Sequence, residues 1–148
     1  MWNFLQRMTV TALLTSLLVL TPAWSQERPY KEGSVWAISI VKTKNGLADD
    51  YLREVIPVRK KIMDEAQKQG LVLSYKILSG TSANRDDWDI MFLDEYKNWA
   101  AFDGLTAKFD AIERKLIGDE AAQTQMMVKR VDVRELVGDK VMQELIPK

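Results

Sequence analysis

The sequence predicts an α+β domain: a four-stranded sheet carrying two helices on one face, placed behind an N-terminal export signal. Three observations lead there. Runs rich in β-branched and aromatic residues alternate along the chain with segments whose apolar residues recur every three or four positions. Glycine stands where one pattern gives way to the next, at Gly46, Gly70, Gly80 and Gly118. The 148-residue chain contains neither cysteine nor histidine, so an apolar core must hold the fold without disulfides.

The chain opens MWNFLQRMTVTALLTSLLVLTPAWSQ. Arg7 is an early positive charge, Val10 to Leu20 is an apolar run, and Ala23-Trp24-Ser25 supplies a small-residue cleavage pattern. That layout predicts a secretory signal peptide over 1–25, cut between Ser25 and Gln26, and a periplasmic or secreted product. The apolar run falls short of the ~20 residues of a membrane span, so no stable span is expected after cleavage. Without cysteine there is nothing to lipidate. Removal of 1–25 takes Arg7 from the 21 basic residues and leaves all 21 acidic ones. A nearly neutral remainder without a basic block argues against nucleic acid as a partner.

Residues 26–33 are polar, with Pro29 and Gly33, and read as a flexible leader. Ser34–Thr43 reads as a strand, apolar on both faces. Gly46–Gln69 has helical spacing, with Leu52, Val55, Ile62 and Ala66 on one face. Asn45 is its expected cap and Gly70 its stop, and Pro57 predicts a kink or restart near Ile56. Leu71–Gly80 and Trp88–Tyr96 read as strands of an antiparallel hairpin across the polar turn Thr81–Asp87. Asn98–Ile117 reads as a second helix, with Phe102, Leu105, Phe109, Ile112 and Leu116 on one face. Thr124–Val133 is assigned as the fourth strand. The tail, 134–148, is left between an extra strand and a helix end, with the strand preferred.

That order is β-α-β-β-α-β over 34–133, the ferredoxin-like plan. Two helices cover one face of such a sheet, yet both faces of these strands are apolar. Face-to-face homodimerisation would bury the second face, with the tail protecting an edge strand at the interface. Which face meets the helices is not decided by the pattern.

Three segments carry a resemblance to the dimeric α/β-barrel superfamily: Ile40-Val41-Lys42-Thr43-Lys44-Asn45-Gly46, Val55-Ile56-Pro57-Val58-Arg59-Lys60-Lys61, and Phe92 through Phe102. The superfamily includes stress-responsive A/B-barrel proteins, NIPSNAP-like domains and antibiotic-biosynthesis monooxygenases. The Pro-x-Arg of the second segment is similar to a NIPSNAP-like pattern. The resemblance spans roughly Val35 to Val133. Its motifs are specific for fold and poor for function. Haem enzymes of this group usually hold iron through histidine, and a chain without histidine excludes that ligation.

No catalytic residue stands out, and no cofactor or metal is expected. Asp89 and Glu95 on one strand are ~20 Å apart and too distant for paired-carboxylate chemistry. The candidate ligand-binding residues are Tyr51, Arg59, Tyr75, Asn98, Trp99 and Arg130. Tyr51 and Arg59 are expected in the cleft between helix and sheet. Arg130 lies on the assigned fourth strand, where Lys129 and Arg130 point to opposite faces. For both arginines a structural salt bridge ranks ahead of a ligand contact. The expected role is binding of a small apolar or aromatic molecule. The alternatives are a cofactor-independent monooxygenase, in which Tyr75, Asn98 or Trp99 orients the substrate, and a structural envelope scaffold.

Overall fold

A computed structural model describes residues 27–148, leaving the expected signal peptide outside the described residues. The first strand, β1, runs Tyr30–Thr43. It is followed by helix α1 (Ala48–Lys68), strands β2 (Ser74–Ser79) and β3 (Ile90–Tyr96), and a short 3-10 turn (Trp99–Phe102). Helices α2 (Leu105–Leu116) and α3 (Glu120–Val131) come next, and strand β4 (Arg134–Pro147) closes the domain. The sheet order is β2-β3-β1-β4, antiparallel throughout. That is the ferredoxin-like arrangement.

The register settles which face is inside. Val35, Ala37, Ser39 and Val41 of β1 stand across from Tyr96, Asp94, Phe92 and Ile90 of β3, and directly opposed residues share a face. Val35, Val41, Ile90, Phe92 and Tyr96 are buried. One cluster packs Val41, Ile90 and Phe92 against Tyr51 and Val55 of α1, and another packs Tyr96 against Met63, Ala66 and Ile112. Trp36, Ile38 and Ile40 therefore occupy the open face, beside Leu93 and Met91.

The chain departs from the sequence expectation in four places. Residues 30–33, read as leader, belong to β1, and Tyr30, Lys31 and Glu32 pair with the end of β4. Segment 124–133, read as the fourth strand, is helix α3. Asp119 caps it by accepting from the Ala122 N–H at 3.0 Å. Glu120 sits in the first turn and Lys129 and Arg130 in the last, where each charge suits the helix dipole. The true fourth strand is the supposed tail: 134–147 adds to β1 along 12 register pairs, so the domain reaches past 133 and its sheet face carries three helices instead of two. The predicted helix 98–117 is split, because Gly104 adopts φ 65° and caps α2, a left-handed geometry that glycine takes without penalty.

Two smaller differences concern α1. Leu47 takes the N-cap position in place of Asn45, and the helix is continuous through Pro57 instead of restarting. Proline's missing N–H costs one internal bond, and burial of Tyr51 before it and Met63 after it holds both halves to the same sheet.

Candidate functional site

A cavity of about 480 Å³ lies between the inner sheet face and the helices. Its apolar wall comes from Val41 and Phe92 of the sheet, Val55 and Met63 of α1, Phe109 of α2 and Leu136 of β4. Its polar groups are Tyr51, Arg59, Asp94, Arg130 and Arg134, with Glu113 and Asp139 also on the lining. The helical spacing of α1 aims Tyr51, Val55 and Arg59 at the sheet, since residues four apart lie on one face. The strand period of two places Phe92 and Asp94 together beneath them.

Arg59 is the centre of this arrangement. Its guanidinium pairs with the Asp94 carboxylate, both side chains being about one-fifth exposed (21% and 18%). It also stacks over the Phe92 ring with 4.6 Å between the guanidinium carbon and the ring centre. Tyr51 meets the same ring edge-on at 6.5 Å. Arg134, the first residue of β4, lies 5.9 Å from the Tyr51 ring centre. Three arginines thus surround one buried tyrosine. The Nε–H groups of Arg59 and Arg134 are shut off from solvent and meet no acceptor among the described residues.

The titratable groups feel both burial and charge. Burial raises the Tyr51 phenol above its ordinary value, while the positive charges of Arg134, Arg130 and Arg59 pull the other way. Asp94 is also raised by burial, against the opposing charge of Arg59. Glu113 is raised by burial and by the neighbouring charge of Asp110, with Arg130 opposing. Tyr96 is pushed up to about 12, chiefly by burial and further by Asp94. Each shift favours the neutral form of an acid that has been taken out of water.

Of the residues singled out by sequence, Tyr51, Arg59 and Arg130 line this cavity, whereas Tyr75, Asn98 and Trp99 do not. Tyr75 donates its hydroxyl to Asp64 at 2.9 Å. Trp99 is half exposed, with its Nε1–H on Gln143 at 2.6 Å. Asn98 precedes the 3-10 turn without a capping side-chain bond. The trio suggested for orienting an oxygenase substrate is therefore not assembled in the cleft.

Arg59 finds the structural ion pair expected of it, with Asp94 as its partner. Arg130 does not. It sits on α3, contacts Met126 Sδ at 3.3 Å, and is in no ion pair within 4.0 Å among the described residues. Lys129 and Arg130 are neighbours on a helix, so the opposite-face argument for a strand does not apply. Asp89 precedes β3 and accepts the Thr43 N–H at 2.9 Å.

Sequence reasoning missed Asp94, Tyr96, Glu113 and Arg134. Asp94 was legible in principle, as a charge at an inward position between Phe92 and Tyr96. Arg134 was hidden by the misplaced fourth strand. Among the described residues no acidic cluster suits a metal ion, and no helix is long and apolar enough to cross a membrane.

No protein-family model and no curated protein matches the chain. Solved structures resemble its chain path. A protein from Shewanella oneidensis is 14% identical with a TM-score of 0.46, over 79% of this chain and 98% of its own. A dimeric ferredoxin-like protein from an uncultured marine organism is 15% identical with a TM-score of 0.47, over 78% of this chain and 96% of its own. A dimeric ferredoxin-like protein of unknown function from Thermobifida fusca is 10% identical with a TM-score of 0.43, over 79% and 94%. The ferredoxin-like fold of the chain rests on its own sheet order β2-β3-β1-β4 and antiparallel pairing.

Proposed function

We propose that this protein is an exported, homodimeric binding domain that holds a small molecule with an apolar or aromatic body in the helix–sheet cleft, without a metal. The cleft carries the reading. About 480 Å³ of space is the scale of a small-molecule pocket, and an apolar wall with a few convergent polar groups is the usual lining of one. Tyr51, Phe92 and Phe109 offer ring surfaces on which a flat or branched hydrocarbon body packs.

The dimer follows from the other side of the sheet. Trp36, Ile38, Ile40, Met91 and Leu93 share the open face, with Lys76, Glu95 and Lys140 beside them, and the domain's own helices lie on the opposite one. An apolar sheet face of this kind is stable in water when a second sheet covers it. A second copy supplies a self-complementary cover about a two-fold axis. Export rests on the Arg7, Val10–Leu20 and Ala23-Trp24-Ser25 pattern, and N-terminal sequencing of the secreted product tests it.

Native mass spectrometry of gently purified protein tests the central reading. A dimer carrying an additional small mass is the expected result, and that mass identifies the occupant. A bare protein that also shows no thermal stabilisation by any apolar or aromatic compound would remove the binding role.

A further inference from the structure

The charges lining the cavity are unequally satisfied. Arg59 has Asp94. Arg130 and Arg134 line the same space, and neither has a carboxylate within 4.0 Å among the described residues. Glu113 and Asp139 also line the cavity but make no such contact. Arg134 has, in addition, a buried Nε–H without an acceptor. A guanidinium taken out of water needs an acceptor, and a carboxylate matches its fork of N–H groups. Beyond these groups the wall is apolar, with Val55, Met63, Phe109 and Leu136.

Resting on the cleft-binding reading above, we infer that the ligand is a small organic acid, whose carboxylate is held by Arg130 and Arg134 while its hydrocarbon body lies along the apolar wall. Arg59 already has a carboxylate in Asp94, although its own Nε–H also lacks an acceptor among the described residues, and that pair forms the neutral part of the polar rim. Two arginines from consecutive elements, one in the last turn of α3 and one at the start of β4, form the acid-binding end.

The test compares matched acids and amides by calorimetric titration of the purified full-length protein: 2-naphthoate against 2-naphthamide, and decanoate against decanamide. The expected result is that each acid binds about tenfold or more tightly than its amide, as charge-assisted bonds to arginine require. That preference should collapse towards unity in Arg134→Gln and Arg130→Gln, with amide affinity retained. Equal binding of acid and amide to the wild type would overturn the acid inference and leave the cleft reading standing. Failure of all four compounds to bind would overturn both. An acid preference that survives in both variants would overturn the assignment to these arginines. The wild-type comparison stands without a variant, and retained amide binding reports that each variant is folded.

Discussion

Arg59 lies over the face of Phe92, its guanidinium carbon 4.6 Å from the ring centre. The cation is thereby held from two sides, because Asp94, two residues along the same strand, accepts from its Nη2. Arg59→Met should cost less than Asp94→Leu. The first keeps most of the stem packing, while the second leaves a half-buried cation without its counter-ion. We expect Asp94→Leu to lower stability by about 3 kcal/mol. The double variant should recover much of that loss. Urea denaturation of the three proteins checks the order, and a cost below about 0.5 kcal/mol for Asp94→Leu would show that the pair contributes no stability.

Alkaline pH should loosen the fold through its tyrosines. The Tyr96 phenol is raised from 10.0 to about 12, and Tyr51 and Tyr75 are raised also. A folded-state value above the unfolded one means that the folded state holds the proton more tightly. The stabilising contribution is then full below pH 10 and is lost as pH rises through about 12. Ultraviolet titration should show Tyr96 ionising late, and Tyr96→Phe should flatten the alkaline decline in stability. A titration in which all four tyrosines ionise together near the ordinary value would contradict this.

Helix α3 depends on its cap. Asp119→Ala removes the acceptor for the Ala122 N–H and should cost about 1 kcal/mol. Asp119→Asn retains an acceptor and should stay within a few tenths of wild type. Equal losses in the two variants would mean that charge, and not the cap bond, is what matters.

The open face should control assembly. Ile40→Glu puts a carboxylate on the open face between Met91 and Gly138, where a second sheet would have to desolvate it. Sedimentation velocity should show a dimer for the wild type and a monomer for Ile40→Glu, at similar helix content by circular dichroism. An unchanged dimer would place the interface elsewhere.

Much of the architecture was legible because its signals are local. The hairpin of β2 and β3 announced itself through two apolar runs and a polar turn, and α1 through its three-and-four spacing. The fourth strand was not legible in the same way. Thr124–Val133 mixes β-branched residues with Met, Gln, Lys and Arg, so propensity alone fits both states. The cap at Asp119 and the charge order from Glu120 to Arg130 were the deciding signals. Residues 134–147 gave no clean alternation because β4 is an edge strand with a register shift opposite Ile40 and Val41, and it exposes Leu136, Val141 and Leu145. The site followed the fold. Tyr51 and Arg59 came from a helix placed correctly, whereas Arg134 depended on a strand that was not.

Pro57 has a mechanical consequence. Lacking an N–H, it leaves the Arg53 carbonyl without its usual donor inside α1, between the turn that carries Tyr51 and the turn that carries Arg59. These two side chains form one wall of the cleft from opposite sides of that gap. A missing bond at this point leaves α1, which runs on through Pro57, one hydrogen bond fewer to break if it bends between Tyr51 and Arg59. On the proposed binding role, that gap would let the cleft adjust to occupants of somewhat different girth.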